Sequence, residues 1–255
     1  GLVKNSGCDF DPTSTLTLTE RTIEPKSLQV NLQLCKADFR SDWDAISMGY
    51  SAHDSLPPSF SDFLLGHIAA KVAQRTEQSI WNGAAATNGD FAGFKELMLA
   101  DADVTDVGAG AAVTAANVIE KLGLVVDSIN STIYTSEDLY IYVSQNVARA
   151  YVRALGGFQA TIGAAGVDNQ GTQWYNGGGL TFDGVKIAVA NGLPDNTMVA
   201  AEKSNLFFGT GLLNDQNEIK VIDMADIDGS QNVRVVMRYT ASVQYGLGSE
   251  IVLYS

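Results

Sequence analysis

Thirteen residues near the end of the chain alternate with a single error. Val233, Val235, Met237, Tyr239, Ala241, Val243 and Tyr245 take odd positions, Arg234, Arg238, Thr240, Ser242 and Gln244 take even ones, and only Val236 breaks the rule. Successive side chains of a strand point to opposite faces, so this stretch predicts one strand with an apolar face to bury and a polar face left in water. At about 3.3 Å per residue it reaches roughly 43 Å, about twice an ordinary strand.

Residues 59 to 82 read as a long helix. Pro57 and Pro58 mark the entry of a helix, with Ser55 or Ser59 as its cap, and Asn82-Gly83 marks its exit. Phe60, Leu64, Ile68 and Val72 fall on one stripe, joined by Phe63 and Ala69. A helix of about 23 residues spans roughly 35 Å, which is long for a domain of this size.

Residues 13 to 36 read as two more strands. Leu16 and Leu18 alternate with Thr15, Thr17 and Thr19; after Glu24-Pro25, Leu28, Val30, Leu32 and Leu34 alternate with Gln29, Asn31 and Gln33. Pro25 sits near the expected bend, where a missing N–H does little harm. A lone two-stranded hairpin is marginal in water. The hairpin is therefore expected to lean on a neighbouring molecule, and replacing residues 14 to 33 with a short linker is expected to leave a folded subunit.

The middle of the chain has a different rhythm. Thr114 opens a helix through residue 130, with Val118, Ile119, Leu122, Val125, Val126 and Ile129 at helical spacing. Leu139 to Val143 is a short apolar run, read as a buried strand. Ser144 caps a third helix that stops at Gly156-Gly157. Strand, capped helix and glycine stop predict an α/β lobe. Residues 156 to 184, rich in Gly, Asn and Gln, read as a long loop; Val185–Ala190, Met198–Ala201, Leu206–Phe208 and Glu250–Tyr254 read as short strands.

Composition narrows the function. Of 255 residues 45% are hydrophobic, enough for a core in one or two domains. The net charge of −13 leaves no basic footprint for nucleic acid, and the acidic segments Asp101 to Asp106 and Asp223 to Asp228 argue against DNA or anionic membranes. Two cysteines, Cys8 and Cys35, make no disulfide framework. The chain opens on Gly1 rather than Met, which predicts that something upstream was removed. No apolar stretch reaches 18 residues.

The sequence carries none of the common catalytic patterns. His53 and His67 are the two histidines, and no H-E-x-x-H accompanies them. No G-x-S-x-G elbow supports a triad and no G-x-x-x-x-G-K-[ST] loop cradles phosphate. Cys35 falls on the strand pattern, which favours packing over pairing with His53 as a nucleophile. Asp42 and Asp44 read as an exposed turn, and Asp101, Asp103 and Asp106 lack the glycine and glutamate of a calcium loop. The chain is expected to be no enzyme, with no cofactor and no metal.

In this order the parts resemble the major capsid family of tailed bacteriophages, whose fold is named after phage Hong Kong 97. The helix closes on Trp81-Asn82-Gly83 and runs into Phe91-Ala92-Gly93-Phe94, which looks like that family's passage after its spine helix. The resemblance covers nearly the whole chain and rests on the ordered set. It implies an α+β fold with an extended E-loop hairpin, a long spine helix, a peripheral (P) domain and an axial (A) domain. Residues 1–12 are then the remnant of an N-terminal arm, 13–38 the E-loop, 39–112 with 218–255 the peripheral domain, and 113–217 the axial domain.

The resemblance also implies a role. The chain would be a shell subunit forming hexamers and pentamers of an icosahedral head that encloses double-stranded DNA without specific binding. Portal and scaffold or protease proteins would join during assembly, which would take place in the host cytoplasm, and the product would be the virion capsid. Inter-subunit contacts would come from the E-loop residues Leu16, Leu18, Arg21, Glu24, Lys26, Leu28 and Val30. Some members weld their shells with a Lys–Asn bond helped by a glutamate. Lys26 and Asn232 match the pair, but Tyr239 and its neighbours are not acidic, so a shell without covalent links is expected. The rival readings are an encapsulin-like bacterial nanocompartment, which shares the fold, a secreted β-rich binding protein such as an adhesin or lectin, and a hydrolase with an unrecognised site.

Overall fold

The long alternating stretch is a single strand and forms the axis of one of two sheets. The computed structural model describes residues 20–35, 58–108, 112–157, 179–211 and 219–255. In chain order these carry β1 (Lys26–Cys35), α1 (Pro58–Asn82), α2 (Phe94–Ala100), β2 (Thr105–Asp106), α3 (Val118–Asp127), β3 (Leu139–Val143), α4 (Gln145–Val152), β4 (Thr181–Phe182), β5 (Val185–Val189), β6 (Met198–Glu202), β7 (Leu206–Gly209), β8 (Ile219–Asp223), α5 (Ala225–Asp228), β9 (Asn232–Tyr245) and β10 (Val252–Tyr254).

Strand β9 is the axis of a four-stranded antiparallel sheet. On one side it pairs with β1 over ten residues, from Lys26 opposite Ala241 to Cys35 opposite Asn232. On the other it pairs first with β8, Ile219 opposite Met237, then with β7, Leu206 opposite Tyr245. Fourteen residues give β9 a length of about 46 Å. The odd-numbered face is buried at Val233, Val235, Met237, Ala241, Val243 and Tyr245. Val236, the one exception to the alternation, lies half-buried on the other face between Asn31 and Lys220.

Helix α1 follows β9 on that odd face. Ile68 packs on Val235 with Leu34, Val72, Ile219 and Val221 around them. Two turns further on, the hydroxyls of Thr76 and Tyr239 share a hydrogen bond of 3.3 Å. At the helix end Trp81 enters a core with Phe91, Phe94, Met98, Val243 and Tyr245. Twenty-five residues give about 37 Å, close to the long helix expected over 59–82. The stripe is narrow: Ala69, Ala70, Ala73 and Gln74 are exposed.

The second sheet has six strands in the order β2-β10-β6-β3-β5-β4. Its central strands β6 and β10 are buried on both faces, which explains why they read as continuous apolar runs. Met198 and Ala200 of β6 face a core shared with α3 and α4, including Val118, Leu122, Val125, Ile141 and Val147. Val199 and Ala201 face the opposite core, beside Trp81 and Phe94.

Several expectations are corrected here. Helix α3 begins at Val118 rather than Thr114, because Asn117 Oδ1 accepts from the Thr114 N–H (2.7 Å) and spends residues 114–117 on a turn. The Ser144 hydroxyl donates to Asn146 Oδ1 (2.6 Å) and does not cap α4. Strand β7 joins the β9 sheet, while β2 and β10 pair in the six-stranded sheet. Hydrogen-bond registry, not order along the chain, sorts these short strands. The first expected strand of the hairpin, including Leu16 and Leu18, lies outside the described residues, as do Cys8, Asp42, Asp44 and His53.

Candidate assembly interface

Residues 20–35 form one extended run, not the two arms of a hairpin. Residues 20–25 contain no turn and continue past the end of the β1 ladder, along β9. Gln244 Nε2 lies 3.5 Å from the carbonyl oxygen of Thr22. Beyond it the Arg21 guanidinium stacks 4.6 Å from the centre of the Tyr245 ring and pairs with Asp101 at 2.5 Å. The bend expected at Pro25 is therefore absent: Arg21 is drawn to a carboxylate 80 residues away, which pulls the chain straight.

Asp101 is the centre of this clasp. Its carboxylate accepts from the Asp103 N–H at 3.0 Å and from the Tyr245 hydroxyl at 2.8 Å as well as from Arg21. These donors, the Asp103 amide first, hold its pKa down at about 2. Tyr245 is pushed up to about 12, chiefly by burial and then by the carboxylate beside it. The hydrogen bond to Asp101 raises Arg21 further above its ordinary value. Between the extended run, residues 85–92 and Ser242–Gln244 lies an open groove of about 940 Å³.

The other residues expected at an interface fall in different environments. Glu24 and Lys26 pair with each other at 3.2 Å on the surface. Val30 is half-buried opposite Met237. Leu28 is only 8% exposed, opposite Tyr239 in the core that holds Trp81 and Phe91. Most of the apolar area of Leu28 is thus covered within its own chain. For the same reason a linker replacing residues 14 to 33 would strip β9 of a ladder partner and open the core. Lys26 and Asn232 stand at opposite ends of the β1–β9 ladder, and Tyr239 bonds to Thr76.

The acidic segments have local work. Asp101 and Asp106 accept from the N–H two residues ahead, at 3.0 and 2.8 Å, and Asp223 and Asp228 do the same at 3.0 and 2.9 Å. Each closes a turn of the kind that short acidic side chains favour. Among the described residues no group of three or more His, Cys, Asp or Glu is placed to hold a metal, and no helix is long and apolar enough to cross a membrane.

The Trp81-to-Phe94 passage has a steric cause. The Gly83 N–H donates to the Ser79 carbonyl and the Gly93 N–H to the Gly83 carbonyl, both at 2.9 Å. A Cβ on Gly93 would lie 2.5 Å from Gly83 N and 2.6 Å from Ser79 O, and one on Gly83 would collide with the carbonyls of Phe91 and Ser79. The glycines let the chain double back against the helix end, which seats Trp81 on Phe94 (5.4 Å between centroids) and Tyr142 (5.1 Å). This joint ties α1 to both sheets.

No protein-family model matches the sequence. No curated protein matches it either. Solved structures do match. One is the satellite phage P4 procapsid including size determination (Sid) protein, at 9% identity and a TM-score of 0.59 over 98% of this chain and 81% of that one. The capsid of an empty GTA particle matches at 15% identity and 0.54, over 98% and 80%. The capsid structure of cyanophage P-SCSP1u matches at 14% and 0.52, also over 98% and 80%. The chain thus has the mixed helix-and-strand fold of phage capsid structures.

Proposed function

We propose that this chain is the major capsid protein of a tailed bacteriophage, a structural subunit that acts by assembling and not by chemistry. The observation that carries the reading is the fold shared over nearly the whole chain, which here is built on a long helix laid along a long strand. The physics agrees. A subunit drawn out along a 14-residue strand leaves, among the described residues, a free sheet edge and exposed apolar side chains, Leu32, Phe207 and Phe208 among them, that copies of itself can cover. Many modest contacts repeated around closed rings add up to a stable shell. In this reading the six-stranded sheet with α3 and α4 is the core of the axial domain, α1 is the spine helix, and the open edge of β1 meets a neighbour. Hexamers and pentamers close an icosahedral head around double-stranded DNA, and its acidic wall does not hold the DNA. Portal and scaffold or protease proteins act during assembly in the host cytoplasm.

Negative-stain microscopy of native particles tests this, with closed shells of one size expected. A stable monomer under the same conditions would refute it, and shells that carry protein but no nuclease-protected DNA would move the chain to the nanocompartment reading. Boiled shells should give one band near 27.1 kDa, since no acid stands beside Tyr239 on β9. A ladder of larger bands would show covalent welding.

A further inference from the structure

We infer that the outer edge of β1 pairs with the same edge of a second copy across a two-fold axis through Asn31. Strand β1 ends its sheet: β9 lies on one side, and among the described residues nothing pairs with the other. Ten residues of open ladder invite strand addition, and proteins usually blunt such edges with charge or proline. From Ser27 to Cys35 this edge has neither. The described residues just upstream do not turn back to cover it, because they run on along β9 to the Arg21 clasp.

The sequence of the edge is close to a palindrome. Leu28-Gln29-Val30-Asn31-Leu32-Gln33-Leu34 reads nearly the same in both directions about Asn31. Antiparallel pairing centred there sets Leu28 against Leu34, Val30 against Leu32, Gln29 against Gln33 and Asn31 against itself. Every apolar side chain meets an apolar one on one face, and every amide meets an amide on the other. A slip by one residue sets leucines against amides. A slip of the axis by one residue either way sets a lysine, Lys26 or Lys36, against a leucine. Leu32, 40% exposed in the lone chain, gains cover, as do the half-buried Val30 and Leu34.

The symmetry fits a wall. Two antiparallel edges joined in one continuous sheet are related by a two-fold axis normal to that sheet. Both copies then keep α1 on the same side, as a shell requires of its inner and outer surfaces. This step rests on the shell reading for its setting, though not for the pairing itself.

Cysteine cross-linking tests it. In assembled protein carrying Cys8→Ser and Cys35→Ser, Asn31→Cys places two thiols face to face, with Cα atoms about 4.5 to 5.5 Å apart, inside disulfide range. Oxidised glutathione should then shift most of the chain to a band of twice the 27.1 kDa chain mass. Gln29→Cys should stay monomeric, because the two copies of residue 29 are offset by about 13 Å along the strands. Gln29→Cys with Gln33→Cys should restore the dimer band. A monomeric Asn31→Cys, or a Gln29→Cys that links equally well, overturns the pairing. If shells still form in that case, the shell reading stands without it. Dimers without any shells would sustain the pairing and sink the shell reading.

Discussion

Leu28→Ala separates a contact made within the chain from one made between chains. The side chain is 8% exposed and packs in the core that holds Trp81, Phe91 and Tyr245, with Tyr239 opposite it on β9. Truncating a buried leucine costs about 2–5 kcal/mol, more where the cavity cannot collapse. Strand β1 lies at a sheet edge and can relax inward, which places the cost at the lower end, about 2–3 kcal/mol. For a chain of this size each kcal/mol lowers Tm by roughly 2–4 °C, so the unassembled subunit should melt roughly 4–12 °C lower. Circular dichroism of subunits below the assembly concentration reads this directly. Leu32→Ala is the matched control: same strand, same chemistry, but 40% exposed. It should leave the subunit's Tm within about 2 °C while weakening assembly. If Leu28→Ala changes subunit melting by less than a degree, Leu28 serves a neighbour and β1 does not belong to its own subunit's core.

Three further outcomes follow from the packing. Ile68→Ala, at the sole fully buried position among the described residues 65–78 of α1, should cost about 2–5 kcal/mol; an unchanged denaturant midpoint would mean that α1 does not lie on β9. Gly192→Ala forces a Cβ into the Glu77 carbonyl and to 2.9 Å from Trp81, so the joint should lose about 1–3 kcal/mol, seen as a lower Tm with altered tryptophan fluorescence. Asp101→Asn tests the clasp by pH: a carboxylate held at about 2 gives stability that is complete above about pH 4 and is lost as the pH falls through about 2. The variant should therefore melt below the parent at neutral pH and converge with it near pH 2. A gap that persists unchanged into acid would rule out the ionised Asp101 as its source.

What could be read directly from the sequence was periodic and local. The alternation from Val233 to Tyr245, the stripe on α1 and the run Leu139–Val143 gave elements whose ends agree within a residue or two, because side-chain spacing reports which residues want burial. It does not report what will cover them. Whether β1 folds on its own subunit or on another was decided by its ten-residue registry with β9, some 200 residues away. The Arg21–Asp101–Tyr245 clasp joins residues 80 and 144 positions apart, and no local signal announces it. The acidic runs read as surface charge until their oxygens were seen closing turns. Gly83 and Gly93 were legible as a motif, but only tertiary structure supplied the reason: two backbones approach so closely that a single Cβ will not fit. Periodicity sets the demand for burial along the chain, and long-range contact, which must outweigh the entropy of closing large loops, decides how it is met.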